Sequence, residues 1–346
     1  MIASVFKYSY PNAKIRALKG SLLTTENFYA LLQASSYREF LNHLQTSPYL
    51  QNAPEESQEL TLPALTALFY SNLFQDYVKV IRSLDGHLQK FFILLYQQYE
   101  LTNLKTLLRG LSSQVAPEEI APLLLPTRQY LLFSKEELLR LRNVHDVIEH
   151  LQHSFFQYPL NRALPRFEKE REFFPLEMSL DLHYYRTLWE TIQTIGEPEF
   201  GIISTIIGML IDVLNISWII RFKEQYKFSP EEILNYTIHH GHLFRLKDRR
   251  NLAECGKTAD IIEYVQKTPY GKMLSGRESL QTLHVILMRS VLAHLQKYFH
   301  RQPFQVGVIL GYIYLKEFEV SDLMTIAEAK KYDYAQEETQ KYVIHV

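Results

Sequence analysis

Two short sequence blocks recur three times along this chain, always in the same order, and this repetition constrains the fold most. The downstream block pairs an acid with an Asn or Asp three residues later, among apolar positions, at Tyr99–Arg109, Ile211–Arg221 and Phe318–Glu328. The upstream block reads EFLNHLQTSPY, DVIEHLQHSFF and DIIEYVQKTPY at residues 39–49, 146–156 and 260–270. Successive acids are 112 and 107 residues apart, and successive upstream blocks 107 and 114. We therefore predict three copies of a unit of roughly 110 residues.

Composition favours helices over sheet. Only 12 of the 346 residues are Gly, long stretches are rich in Leu, Glu, Gln and Lys, and sustained period-two alternation is absent. Hydrophobic residues make up 47% of the chain, and 23 Tyr and 20 Phe supply packing bulk. We predict an all-α protein with helical lobes at residues 1–112, 113–224 and 225–332. A polar C-terminal tail at residues 333–346 is expected to fray.

One stretch, Gly201–Ile220, is apolar and long enough to span a bilayer. It contains Asp212 and Asn215, and an acid near the centre of a spanning helix costs about 2.5–3.5 kcal/mol. It also aligns with residues 91–108 of the first copy, which include Glu100 and Lys105 and cannot form a span. We predict that both are core helices.

The repeated polar residues are the candidate site. They are Glu100, Asn103, Arg109, Asp212, Asn215, Arg221, Glu319 and Asp322. On a helix the acid and the Asn or Asp share one face through i,i+3 spacing, whereas the Arg points about 180° away from the acid. Buried polar groups must be hydrogen-bonded, so these residues either brace neighbouring helices or line a polar channel or partner site.

Other motifs give little chemistry. The sequence has no glycine-rich phosphate loop, no dinucleotide fingerprint and one cysteine, Cys255, which excludes an internal disulfide and a cysteine-based zinc knuckle. A net charge of −1 gives no overall attraction to nucleic acid. The densest metal-like cluster is His239–His242, which would suit a metal-dependent hydrolase only with a defined turn and a carboxylate partner. We predict no catalytic, cofactor or metal site.

The ordered blocks resemble the C-subunit family of V-type and archaeal-type rotary ATPases, whose eukaryotic members are called d subunits. The resemblance is carried by the segments Tyr10–Leu18, Thr46–Tyr49, Tyr99–Arg109, Asn215–Arg221, Lys267–Tyr270 and Lys316–Glu319. Two positions depart from the pattern. The second copy has Ser154-Phe155-Phe156 in place of Thr-Pro-Tyr, and the third has Glu328 in place of Arg.

The resemblance implies three pseudo-symmetric helical lobes around a pseudo-three-fold axis, forming a funnel. It implies a non-catalytic central-stalk subunit that sits on the membrane rotor ring and receives the foot of the central shaft. Such a protein would couple the two for ATP-driven proton or sodium transport, or for ATP synthesis. It would be peripheral on the cytoplasmic face and touch the membrane only through the ring, with no cofactor, nucleotide or nucleic acid. The alternative is a generic all-helical scaffold or interaction protein.

Overall fold

The computed structural model describes residues 2–51, 60–152, 154–276, 278–300 and 303–346. Within these ranges the regular elements are helices, and no strand occurs. The predicted all-α class is confirmed. The three-lobed funnel and the lobe boundaries remain predictions.

Seventeen α-helices occur in the described ranges. They are α1 (Ile2–Lys19), α2 (Thr25–Gln33), α3 (Tyr37–Leu44), α4 (Leu62–Ile81), α5 (Gly86–Ser112), α6 (Pro117–Ile120), α7 (Lys135–Leu138), α8 (Val144–His150), α9 (Gln157–Glu170), α10 (Phe174–Gln193), α11 (Glu199–Arg221), α12 (Pro230–Asn235), α13 (Leu246–Glu254), α14 (Thr258–Gln266), α15 (Leu280–His300), α16 (Val306–Lys331) and α17 (Gln336–Gln340). The upstream blocks begin on the short helices α3, α8 and α14. The downstream blocks lie on the long helices α5, α11 and α16.

Local sequence signals set several helix starts. Ser134 caps α7 and Ser229 caps α12, each in a capping box with the Glu three residues later. Pro230 occupies the first turn of α12, where its missing N–H removes no intrahelical hydrogen bond. Local capping residues therefore set the starts of these two short helices.

The chain divides into two compact units. The larger unit comprises residues 1–62 and 195–346, and the smaller unit comprises residues 63–194. Helices α1–α3 and α11–α17 belong to the larger unit, and α4–α10 form the smaller one.

In the smaller unit, α5 is the central helix and packs against α10. Four aromatic side chains, Phe74 and Tyr77 of α4 and Tyr96 and Tyr99 of α5, form one buried cluster with ring centroids 4.8–6.3 Å apart. Such edge-to-face contacts add specificity to apolar burial. They fix α4 against α5, the helix that carries the first pair of candidate residues.

In the larger unit, α16 is buried on nearly every side and packs against α1, α3, α11 and α15. Its buried residues include the polar Lys316, Glu319 and Asp322 as well as apolar side chains. A helix that is buried all round needs internal partners for each polar group. The same holds for α11.

Helix α11 with the π-helical turn that follows it, Glu199–Tyr226, is the one helix in the described ranges long and apolar enough to cross a membrane. Most of its apolar window, 61%, is buried inside the protein. Asp212 and Asn215 lie within it and are both 0% exposed. The helix therefore has the burial of a core helix, as the sequence predicts.

The C-terminal segment is packed, so the expected fraying is wrong. Val343 is fully buried and Ile344 nearly so. Nη2 of Arg289 donates to the carbonyl oxygens of Val343 at 2.7 Å and Gln340 at 3.3 Å. The short apolar end of the tail has a buried place on α15 and α16, which its polar composition conceals.

Candidate functional site

The three repeated acids lie at matching positions on α5, α11 and α16. Glu100, Asp212 and Glu319 have exposures of 1%, 0% and 1%. We call each acid, together with the Asn or Asp three residues later, a bracket. The first bracket is Glu100 and Asn103, the second is Asp212 and Asn215, and the third is Glu319 and Asp322.

Asp212 of the second bracket accepts three hydrogen bonds. The backbone N–H groups of Leu243 and Phe244 donate to its two oxygens at 2.7 and 3.2 Å. The hydroxyl of Tyr270 donates to Oδ2 at 2.9 Å. Burial raises the pKa of Asp212, and these donors act in the opposite direction. Thus α11 holds the segment before α13 and the last residue of the third upstream block.

Glu319 of the third bracket repeats this arrangement with the beginning of the chain. The backbone N–H of Leu23 donates to Oε2 at 2.6 Å, and the hydroxyl of Tyr49 donates to Oε1 at 2.6 Å. Nζ of Lys316, 0% exposed, lies 3.1 Å from Oε1 and 4.1 Å from the centroid of the Tyr49 ring. The buried charge therefore has an ion-pair partner as well as two neutral donors.

Glu100 of the first bracket accepts from the N–H groups of Leu132 and Phe133 at 2.7 and 3.2 Å, both at Oε1. Its Oε2 is buried and has no hydrogen-bond partner. Phe156 ends the second upstream block, where the other copies end in Tyr. The Phe133 and Phe156 rings lie 6.0 Å apart, as do those of Phe244 and Tyr270. Burial, partly offset by the two N–H donors, raises the pKa of Glu100 to about 7.

The second member of each bracket binds the backbone of a segment 22 or 23 residues downstream. Asn103 and Asn215 each donate to and accept from one backbone residue, Leu125 and Ile238, at 2.7–3.0 Å. Asp322 accepts from the N–H groups of Ile344 and His345 at 2.7 and 2.9 Å. Because the amide satisfies both backbone groups of one residue, it fixes a non-helical segment against the helix.

Asp322 lacks a donor on its side chain, and the segment opposite it differs accordingly. Nδ1 of His345 lies 2.6 Å from Oδ2 of Asp322. The His345 ring stacks on Phe28 of α2, with centroids 4.7 Å apart and planes 7° apart. The third bracket therefore joins α16, the C-terminal segment and α2.

The brackets connect the copies in cyclic order. The first holds Leu132 and Phe133 of the second copy, and the second holds Leu243, Phe244 and Tyr270 of the third copy. The third bracket holds Leu23 and Tyr49 of the first copy. The two repeated blocks thus contact each other in two of the three copies, where the Tyr that ends the upstream block donates to the acid of the preceding copy in cyclic order.

The repeated arginines lie apart from the brackets. Nη2 of Arg109 is 2.7 Å from Oε1 of Glu177 on α10, and next to it Lys105 pairs with Asp181 at 2.8 Å. Nε of Arg221 donates to Gln225 one turn later at 3.1 Å. Both arginines are exposed, and Glu328, which replaces Arg in the third copy, is exposed too.

The sequence analysis does not identify two further lysines that occupy equivalent positions in the second and third copies. Lys223 and Lys330 each lie eleven residues after the acid, and their Nζ atoms donate to the carbonyl oxygens of Ala253 and Leu32 at 2.5 and 2.6 Å. These carbonyls lie at or near the ends of α13 and α2, so each lysine fastens a short helix. The first copy has Leu111 at this position, which hides the pattern.

The His239–His242 segment is part of the second bracket's binding partner. A β-carbon at residue 241 would collide with Oδ1 of Asp212, so the close approach requires Gly241. The N–H of His242 donates to the carbonyl of Gly208 at 3.1 Å. The described ranges contain no group of three His, Cys, Asp or Glu side chains placed to hold a metal ion.

The brackets can hold segments in place, and their geometry suits them to little else. Each acid is buried and accepts hydrogen bonds from backbone N–H groups or Tyr hydroxyls of the same unit. Each bracket therefore fixes neighbouring segments to its helix at two side chains three residues apart. The carboxylates of Glu100, Asp212 and Glu319 are buried where these loops meet the helices.

The chain is similar to known proteins along nearly its whole length. The family described as ATP synthase (C/AC39) subunit matches residues 11–342. The chain is 26% identical to the C subunit of the A-type ATP synthase of Methanothermobacter thermautotrophicus, over 95% of this chain and 86% of the relative. It is 26% identical to the protein of the same name from Methanocaldococcus jannaschii, over 99% and 88%. It is 27% identical to the A-type ATP synthase C subunit of Methanosarcina mazei, over 94% of this chain and 89% of the relative.

Proposed function

Because this chain belongs to the ATP synthase (C/AC39) subunit family, we propose that it is a non-catalytic central-stalk subunit of a V/A-type rotary ATPase. In this role it couples the central shaft to the membrane rotor ring. The complex uses ATP to transport protons or sodium ions, or synthesises ATP.

The observation that carries this proposal is the cyclic order of the brackets. Each long helix holds a loop of the next copy, and the third holds residues 270 and 296 positions earlier in the chain. Since the third copy contacts the first, the contacts between copies form a closed cycle. Such a cycle supports the proposal of three lobes around a pseudo-three-fold axis. Three lobes arranged in this way suit a subunit that rotates with the central shaft and the rotor ring.

Stiffness is the physical requirement for such a coupler, since any internal yielding would absorb rotation. Buried helices at the packing density of protein interiors have low compressibility. The brackets add directional hydrogen bonds at the points where loops meet the helices. Loss of one partner in such a hydrogen bond leaves a buried polar group unsatisfied. The free-energy penalty then exceeds the net stability that the hydrogen bond contributes.

A non-catalytic role fits the distribution of titratable groups. Active sites gather perturbed acids and bases in one cleft, whereas the repeated acids here are spread over three helices. Each of them accepts hydrogen bonds from segments of the chain itself. We therefore place the partners, the shaft subunits and the rotor ring, on surfaces outside the brackets.

The location follows from the partners. A subunit held by the ring is peripheral, on the cytoplasmic face, and meets the membrane only through the ring. In this proposal α11 stays in the protein core, where its acid and amide are hydrogen-bonded.

The test is affinity purification of the tagged chain from detergent-solubilised membranes of its source cells. We expect shaft and ring subunits to co-purify. Deleting the gene should leave ATP hydrolysis by the head uncoupled from ion transport. A chain that isolates with other proteins, without shaft or ring subunits, is a generic helical scaffold, and the proposal is then wrong.

A further inference from the structure

The smaller unit contains an open cavity of about 470 Å³ between α4, α5 and the segment at residues 126–129. This volume lies within the range of ligand-binding sites, about 300–1,000 Å³. Phe74 and Tyr96, exposed by 4% and 1%, line it beside Pro126 and Val78. The cavity therefore has an apolar floor.

The charged side chains that line this cavity are all cations. They are Lys79, Arg82 and Arg128, and no acid lines it among the described residues. Lys79 is already paired with Asp76 at 2.8 Å. Nη2 of Arg82 meets only the neutral Gln129, at 3.1 Å, and Arg128 has no side-chain partner in the described ranges. Two exposed guanidinium groups at the rim thus retain uncompensated charge.

The rim is held in position before anything binds. The segment at residues 125–133 lies along α5, where Asn103 binds Leu125 and Glu100 binds Leu132. Between these points Tyr96 Oη accepts from the N–H of Arg128 at 3.4 Å. Nε2 of Gln97 donates to the carbonyl of Tyr130 at 3.1 Å. Fixing a binding loop in advance lowers the entropy lost on association.

We propose that this cavity binds an acidic segment of a partner protein, with a carboxylate at Arg82 and Arg128 and a neighbouring apolar side chain on the Phe74–Tyr96 floor. Guanidinium groups recognise carboxylates through paired hydrogen bonds. The partner is a subunit of the rotary complex, so this inference rests on the proposed function.

The chemistry favours a peptide over a small anion. An inorganic phosphate needs several donors converging on one point, whereas the cations here stand around a wide opening. It would also leave the aromatic floor uncovered. An acidic peptide segment with an apolar neighbour satisfies both parts of the site.

The experiment measures binding of the purified full chain to isolated shaft subunits and to the isolated rotor ring at low salt. The test variant is R82E/R128E, and the matched control is K90E/R140E. The control makes the same charge change at two exposed residues of the smaller unit outside the cavity. We expect the test variant to bind one partner about tenfold or more weakly, mainly through slower association, and the control less than about twofold. Circular dichroism and thermal unfolding establish that both variants are folded.

The outcomes separate this inference from the proposed function. Equal binding by wild type and R82E/R128E overturns the inference alone. Failure of the wild type to bind either shaft or ring overturns the proposed function, and the acidic-segment site falls with it. Inorganic phosphate that binds the cavity without weakening partner binding identifies a small-anion site and also overturns the inference.

Discussion

The hydroxyl of Tyr270 donates a 2.9 Å hydrogen bond to Oδ2 of the fully buried Asp212, 58 residues earlier. Tyr49 makes the corresponding contact with Glu319 at 2.6 Å. Each pair joins one repeated block to the other. The sequence repeats are therefore repeats of a contact as well as of a pattern.

Removing one hydroxyl measures the strength of this contact. Tyr270→Phe should lower the free energy of unfolding by about 1–3 kcal/mol, because the buried Asp212 loses a hydrogen-bond donor. Urea unfolding followed by circular dichroism is the measurement. Tyr10→Phe, at a residue 64% exposed, is the control and should change nothing measurable. Equal effects of the two substitutions would contradict the assignment.

Stability should depend on the ionisation of Glu100. Its pKa is about 7 in the folded chain, against 4.5 ordinarily, so the folded state holds its proton more tightly than the unfolded state. The stability that protonated Glu100 contributes is fully present below about pH 4.5 and is lost as pH rises through 7. The loss amounts to about 3 kcal/mol.

Glu100→Gln is the test, since the amide keeps an acceptor for Leu132 and Phe133 but cannot ionise. Unfolding free energies at about pH 5 and pH 8 should differ less in the variant than in wild type, by roughly 2–3 kcal/mol. Glu119→Gln, on the surface of α6, should leave the wild-type dependence unchanged. Parallel pH profiles for wild type and Glu100→Gln would refute the role given to this carboxyl.

The second copy offers a gain-of-contact experiment. Phe156→Tyr places a hydroxyl where Tyr49 and Tyr270 have theirs, and it should donate to the unpartnered Oε2 of Glu100. We expect about 1 kcal/mol of added stability at about pH 8 and a lower pKa for Glu100. Urea titrations in acid and in mild alkali give both quantities. Destabilisation under both conditions would mean that the ring at 156 does not reach the carboxyl.

The Lys316–Glu319 pair should be costly to break. Lys316→Met leaves the buried Glu319 without its ion-pair partner, and we expect the free energy of unfolding to fall by about 3–5 kcal/mol. Glu319→Gln in the same chain should recover part of this loss, because the double variant removes both members of the buried ion pair. A double-mutant cycle from chemical unfolding measures the coupling. Simple additivity of the two changes would argue against an interaction.

Asp322 should control the docking of the C-terminal segment. Asp322→Ala removes the acceptor of the Ile344 and His345 N–H groups and should speed hydrogen exchange at both amides about tenfold or more. Exchange followed by mass spectrometry on peptides covering residues 336–346 checks this. Glu337→Ala, exposed on α17, is the comparison and should leave exchange unchanged.

The all-α class and the presence of buried polar residues on core helices could be predicted from the sequence. Apolar runs around Asp212 and Asn215 require burial, and burial requires partners. The identity of those partners could not be predicted. They are mostly backbone N–H and carbonyl groups of loops such as Leu243–Phe244, which have no side-chain signature.

The C-terminal segment shows a second limit. Its polar composition predicts fraying, but three contacts outweigh composition. Arg289 binds its carbonyls, Asp322 binds its N–H groups, and Phe28 stacks on His345. These partners come from α15, α16 and α2, and no pattern local to the segment predicts them.

The hydrogen bond from Leu23 to Glu319 spans 296 positions of sequence, and this has a consequence for biosynthesis. At typical translation speeds of about 5–20 residues per second, the loop before α2 emerges from the ribosome many seconds before its carboxylate partner exists. The first copy therefore stays incompletely bonded while the rest is made. Its final closure, a contact of very long sequence separation, should be among the last and slowest events of folding.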